Sequence, residues 1–192
     1  MASQIIQSIK SIVALNENEE KAFANILRIR QFKKKEFLMQ EGEVCSNVSF
    51  VNNGCLRLFY NVEGVENTVQ FFFGNSWYTD YASFLTGQPT IENMQALEPC
   101  EVVQFKKDDL YKLFNQFPVF EKVGRVMAEN AFLSLSRLNQ MLTNEEPQQR
   151  YLSLMKQRPD VVEKIPQHYI ASYLGVKPES LSRIRKRISS SK

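Results

Sequence analysis

The sequence predicts an α+β chain in three consecutive parts: a β-rich domain behind a helical N-terminal stretch, one long helix, and a small helical unit containing a helix-turn-helix. Three observations predict it. Short apolar runs punctuated by turn residues fill residues 32–106, an apolar repeat of threes and fours follows Pro118, and two short helical patterns meet at Gly175.

The first thirty residues place Ile5, Ile9, Ile12 and Val13, then Phe23, Ile26 and Leu27, at amphipathic helical intervals. After Gln31 the texture changes. The runs "EFLM", "NVSFV", "CLRLFY", "NTVQFFF" and "CEVVQF" read as strands. Between them lie the turn signals Glu41-Gly42, Asn52-Asn53-Gly54, Glu63-Gly64, Gly74-Asn75 and Gly87-Gln88-Pro89. Short strands at regular intervals imply an antiparallel sandwich or barrel. "KKDDLYKLFNQFP" then restores a helical pattern and breaks at Pro118.

In the long helix, Phe120, Val123, Met127, Ala131, Leu135, Leu138 and Leu142 recur with no Gly or Pro after Gly124. The stripe lasts about six turns at ~3.6 residues per turn. That exceeds what covering one face of a small domain requires, so the helix is expected to pair with its own copy in a homodimer. The alternative is that it lies wholly along the β-domain. Thr143, with Glu146 three residues on, reads as a capping box that restarts a helix over Pro147 to Lys156. "QRPDVVEKIP" then gives a short connection or a stunted hairpin. The expected divisions are 1–117, 118–143 and 144–192.

In "HYIASYLGVKPESLSRIRKRI", Ile170, Ala171 and Leu174 define one helix and Leu181 and Ile184 a second, with Gly175 and Val176 in the turn. Ala171 is small where the helices cross, Gly175 supplies positive φ, and Pro178 fits the first turn of the second helix. The outward face then carries Glu179, Ser180, Ser182, Arg183, Lys186 and Arg187, which can bond base edges and phosphates. An ordinary αα-hairpin with a solvated basic face has the same spacing.

Charge separates these readings. From Lys164 onward seven basic residues (Lys164, Lys177, Arg183, Arg185, Lys186, Arg187 and Lys192) face the single acid Glu179, a net +6. The whole chain is +3, so residues 1–163 sum to −3. Basicity so localised suits a polyanion, because Lys and Arg gain affinity by releasing phosphate counterions. The apolar runs are too short to cross a bilayer, and "MASQIIQSIKSIVAL" lacks a signal-peptide h-region and cleavage site, so a cytoplasmic protein without membrane contact is expected. Cys45, Cys55 and Cys100 are far apart without C-x-x-C spacing and read as buried thiols. An enzyme is not expected, since P-loop, G-x-G-x-x-G and H-E-x-x-H patterns are absent and His168 is the only histidine.

The order of these parts resembles the family of the cyclic-AMP receptor protein and FNR (Crp/Fnr) regulators. "EFLMQEGEVCSNVSFVNNGCLRLF" resembles the family's opening β-roll, with Gly42-Glu43 and Asn53-Gly54 at its turns. "EPCEVVQFKKDDLYKLFNQFP" resembles the lead into its dimerisation helix. The resemblance implies a cyclic-nucleotide-binding-like β-roll of jelly-roll type, a dimerisation helix and a C-terminal winged helix-turn-helix. It also implies a transcription regulator that binds a near-palindromic duplex DNA operator as a homodimer and contacts RNA polymerase if it activates. The alternative is an effector-binding roll whose basic tail serves a protein or RNA partner.

Residue by residue, Glu179 and Arg183 match the family's base-reading glutamate and arginine. Glu179 would accept from cytosine N4, and Arg183 would donate to guanine O6 and N7, each good pair contributing about 1–3 kcal/mol of discrimination. Pro178 replaces a family arginine, so the operator should differ from the best-known consensus. Ser180 is assigned to a base or phosphate, and Lys177, Ser182, Lys186, Arg187 and His168 to the backbone. In the effector domain the family's Gly-Glu and Arg-Ser pairs hold ribose and phosphate. Here "GNSWYTDYASFLTGQPTIENMQAL" has no Lys or Arg; Thr79 or Asp80 stands near the glutamate position, and Thr90 or Ile91, with Glu92 beside them, near the Arg-Ser position. A buried phosphate needs a cation or several N–H donors, so cyclic AMP held in the family's way is not expected. A different small-molecule effector would meet Trp77, Thr79, Asp80, Thr90 and Glu92. The aromatic residues Trp77, Tyr78, Tyr81 and Phe84 would line a pocket for an apolar ligand or simply fill it, and filling is expected. Neither an iron-sulfur cluster nor haem is expected: no cysteine precedes Cys45, and the only histidine lies outside the roll.

Overall fold

The computed structural model describes residues 3–190; Lys192, part of the basic tail, lies outside them. These residues fall into two compact units, 3–58 with 71–131, and 59–70 with 132–190.

The first unit opens with α1 (Ser3–Lys10) and α2 (Glu17–Ile26). Helix α2 starts at a capping box: Asn16 Oδ1 accepts from the amides of Asn18 and Glu19, and Glu19 Oε2 accepts from the Asn16 amide. The strands are β1 (Arg28–Phe32), β2 (Phe37–Met39), β3 (Asn47–Asn53), β4 (Cys55–Val62), β5 (Val65–Phe73), β6 (Ser76–Tyr78), β7 (Asn93–Ala96) and β8 (Cys100–Lys106). They form two four-stranded sheets, in the orders β1-β8-β3-β6 and β2-β7-β4-β5. The turn between β3 and β4 is one residue, Gly54, at φ +92°, where a Cβ would lie 2.6 Å from both Pro99 O and Cys100 Sγ. Only glycine meets both demands.

Register decides which residues face the helices. Ser49 pairs with Gln104 and with Tyr78; their neighbours Val48, Phe105, Phe50 and Trp77 alternate onto the opposite face. On that face Phe50 and Trp77 rings stand 4.9 Å apart and Trp77 and Phe105 6.3 Å apart. Phe23 of α2 meets Phe105 edge-on at 5.4 Å and stacks on Phe120 at 5.7 Å. Ile5, Ile9, Phe23 and Phe120 are all buried here. Ser49, Tyr78 and Gln104 line instead a small cleft of about 70 Å³ with Met39 and Cys45. Helices α3 (Tyr81–Thr86) and α4 (Lys107–Gln116) complete the unit, together with the start of α5 (Val119–Asn144).

The second unit holds the remainder of α5, the β4–β5 hairpin tip, α6 (Pro147–Gln157), α7 (Pro159–Lys164), α8 (Gln167–Tyr173) and α9 (Pro178–Ser189). Its core is Tyr151, Leu154, Val161, Ile165, Ile170, Ala171, Leu174, Leu181 and Ile184. Ser172 ties the hairpin tip to α8: its Oγ donates to Glu66 O at 3.0 Å and accepts from the Thr68 amide at 2.8 Å.

Several expectations need correction. The strands β1, β6 and β7 and the helix α3 add to those foreseen. Thr143 caps nothing; it stays inside α5 with its hydroxyl donating to Asn139 O at 2.8 Å. Glu146 is the N-cap of α6 because Pro147, at the first helical position, sets the entry there. The stretch expected as a connection or hairpin forms α7, again led by a proline. Among the described residues no strand follows β8, so the wing of the expected winged motif is not formed by strands there. No described helix is long and apolar enough to cross a membrane.

Two outcomes are expected. Phe23→Ala should lower unfolding stability by about 3–5 kcal/mol in urea titration, since it empties the centre of the aromatic layer. All three cysteines are buried, and burial pushes the Cys45 and Cys100 thiols above their ordinary value of 9.0. The folded chain therefore holds those protons more tightly than the unfolded one; this contribution is full below pH 9 and fades as pH rises beyond it. Stability measured from neutral to alkaline pH should decline, and thiol reagents should react only on unfolding.

Candidate functional site

The residues singled out by the sequence fall in two places in the fold. The first is the α8–α9 pair. Helix α8 ends in a Schellman arrangement, with the Val176 amide donating to Ala171 O and the Gly175 amide to Ser172 O, both at 3.0 Å. Gly175 is left-handed at φ +65°. Nearby, Arg150 Nη1 donates to Leu142 O at 3.4 Å. Pro178 then opens α9, which needs no side-chain cap.

Burial of Ile170, Ala171, Leu174, Leu181 and Ile184 turns the rest of α9 outward. Lys177, Glu179, Ser182, Arg183, Lys186 and Arg187 are exposed, while Ser180 and Arg185 are half-buried. Arg183 leans back along its own helix, Nε donating to Glu179 O and Nη2 to Ser180 Oγ, both at 3.4 Å. Contacts this long are readily exchanged for a shorter, charge-assisted bond to another acceptor. His168 is exposed at the start of α8, its ring 3.9 Å from that of Tyr169. The structure therefore gathers Glu179, Arg183, Lys186 and Arg187 on one helix, with Lys177 just before it and His168 on the neighbouring helix.

The second place is the β-rich unit, where the five predicted residues part company. Asp80 is buried as the N-cap of α3: Oδ1 accepts from the Ser83 amide at 3.1 Å, and Oδ2 accepts from Thr90 Oγ1 at 2.5 Å. Thr90 Oγ1 also accepts from the Glu92 amide, and Thr90's backbone bonds both Gly42 and Glu43. Glu92 Oε2 accepts from the Tyr78 hydroxyl at 2.8 Å. Burial first, and then the Glu92 carboxylate, push the Tyr78 phenol far above its ordinary range, so it stays a donor. Asp80, Thr90 and Glu92 thus form a closed set of hydrogen bonds that latches the 87–92 loop onto the Gly42-Glu43 turn.

Trp77 and Thr79 belong elsewhere, on the wall of an apolar cavity that also includes Tyr81 and Phe84. Tyr78 faces the small cleft instead, because it alternates with Trp77 along β6. The four aromatic residues thus do not share one space: Trp77, Tyr81 and Phe84 line the apolar cavity and Tyr78 lines the small cleft. Sequence reading also passed over Arg57, which is only 1% exposed in β4. Its position in the buried run "CLRLF" was the available signal. Among the described residues no group of three or more His, Cys, Asp or Glu side chains is placed to hold a metal.

Residues 29–117 match the cyclic nucleotide-binding domain family. No curated protein matches the chain in sequence. Among solved structures, the fold is similar to FixK2 from Bradyrhizobium japonicum, with TM-score 0.75, 15% identity and 86% of each chain covered. It is also similar to the c-di-GMP-responsive global regulator CLP of Xanthomonas campestris, with TM-score 0.69, 15% identity and coverage of 92% of this chain and 93% of that one. A mutant of CooA from Carboxydothermus hydrogenoformans aligns with TM-score 0.70 and 17% identity over 88% of this chain and 78% of its own. Residues 29–117 thus resemble a cyclic nucleotide-binding domain in sequence, and the chain that carries them has the fold of these Crp/Fnr regulators.

Proposed function

We propose that the chain is a cytoplasmic transcription regulator of the Crp/Fnr type, not an enzyme, that binds a near-palindromic duplex operator as a homodimer. The observation that carries this reading is α9: two buried apolar residues hold it in place while Glu179, Arg183, Lys186 and Arg187 stand exposed on it. Glu179 and Arg183 read bases; Lys177, Ser182, Lys186, Arg187 and His168 serve phosphates, and Ser180 either. Two copies of α9 would enter successive major grooves about 34 Å apart.

The dimer is argued from α5. Phe132, Leu135 and Leu142 on this 26-residue helix are 70%, 61% and 41% exposed, and pairing with a second copy would bury them. Activation would further require a surface contact with RNA polymerase.

The effector domain is read as having given up cyclic-nucleotide phosphate binding. A phosphate brought to the 80–92 latch would meet the Asp80 and Glu92 carboxylates, in a segment without Lys or Arg. Taking a phosphate out of water against like charge is strongly unfavourable.

Selection from a random duplex pool with purified protein and no effector should enrich a two-fold symmetric site. Arg183→Ala should abolish discrimination at one base pair of each half-site, at about 1–3 kcal/mol. Lys186→Ala should weaken all sequences alike and flatten the salt dependence by about one unit of slope. Equal affinity for duplex, single-stranded and RNA competitors would instead assign the basic tail to another partner. Calorimetric titration with cyclic AMP should show no saturable heat; a stoichiometric isotherm would overturn the reading of the latch.

A further inference from the structure

We propose that the apolar cavity bounded by Trp77, Tyr81 and Phe84 is a binding site for a small, neutral, aromatic molecule of one or two rings. It lies on the helix-covered face of the β1-β8-β3-β6 sheet, and its residues are not those of the Asp80–Thr90 latch. The inference does not depend on the DNA-binding reading.

Size and wall chemistry select the ligand. The cavity measures about 190 Å³. An engineered cavity of about 150 Å³ with apolar walls stays dry and accepts benzene. The space is partly open, bordered by the exposed Leu85 and Tyr111, and the apolar side chains that face it forgo the dispersion contacts that dense packing gives elsewhere. Its walls come from α1, β3, β6, α3, β8, α4 and α5, and they are aromatic on several sides: Trp77, Tyr81, Phe84, Phe105, Phe114 and Phe120. Flat rings set around a space accept another ring in edge-to-face or offset contact.

The polar groups at the wall are mostly committed. Thr79 Oγ1 donates to Asn47 O at 2.9 Å, and Trp77 Nε1 donates to Ser8 Oγ at 2.8 Å. The Lys107 ammonium, over the Phe84 and Tyr111 rings, donates to the Phe84 and Leu85 carbonyls. Its hydrogen bonds thus go to backbone carbonyls. The Tyr81 hydroxyl makes no hydrogen bond among the described residues and can orient one polar substituent.

Two further features support occupancy. Leu85 and Tyr111, on the lining, are 60% and 44% exposed, apolar surface that a bound ring would help cover. Gly124 sits inside α5, where glycine weakens a helix, and a Cβ there would come 2.8 Å from Phe114 Cζ. The glycine gives the Phe114 ring room beside the helix.

Trp77 is the only tryptophan in the chain, so its fluorescence reports on this wall alone. Toluene and benzoate would be titrated into the full-length protein, with excitation where neither absorbs. Toluene should change Trp77 emission saturably and raise the thermal midpoint. Benzoate, of similar size but charged, should do neither. Gly124→Ala, which drives Phe114 against the cavity, and Ala128→Phe, which adds a ring at an exposed lining position, should each weaken toluene binding roughly tenfold or more. Ala128→Phe keeps the test valid if Gly124→Ala proves unstable. A non-saturating response, equal binding of benzoate, or undiminished binding in Ala128→Phe would overturn the proposal. None of these readouts involves DNA, so failure here leaves the DNA-binding reading untouched.

Discussion

The stack of Phe23 on Phe120, with Phe105 edge-on beneath, is the contact on which the first unit depends. It joins three distant segments of sequence, α2, β8 and the first turn of α5, through rings 5.4 and 5.7 Å apart. The apolar area of these rings supplies most of the gain, and the preferred ring geometry adds a smaller increment. With Phe120 held, the start of α5 lies on the sheet, and the cavity around Trp77 is what this arrangement leaves unfilled.

The same sheet supports different chemistry on its two faces. One face is aromatic and packed by helices; the other carries Ser49, Gln104 and Tyr78, with Gln104 Nε2 donating to Ser49 Oγ at 3.0 Å. Beside it the 87–92 loop is closed by Asp80, Thr90 and Glu92. A carboxylate that caps a helix and accepts a threonine hydroxyl has both oxygens engaged. Such a group organises the loop around it.

The two-helix unit was the most legible part of the chain. Ala171, Leu174, Gly175, Leu181 and Ile184 each have one local job, and local jobs are written in spacing. The Schellman turn at Gly175 is an instance, because its hydrogen bonds span only residues 171–176. The misses share a cause. Strand β1 is exposed at four of its five residues and so shows no alternation, and β6 and β7 are three and four residues long. Helix α7, at six residues, is shorter than two turns. The Thr143–Glu146 pattern had the right spacing, but Pro147 outweighed it by fixing the first helical residue.

By itself, the sequence determined the order of the parts, the strands that are apolar runs between turn signals, the turns at Gly42, Gly54 and Gly64, and the outward set on α9. These follow from hydrophobic period, backbone sterics and local charge, which act over a few residues. Tertiary structure alone decided that Asp80 and Thr90 bind each other, that Tyr78 and Trp77 serve opposite faces, and that Trp77, Tyr81 and Phe84 surround a space. A void has no sequence signature, because it is a difference between the volume that several elements enclose and the volume their side chains fill.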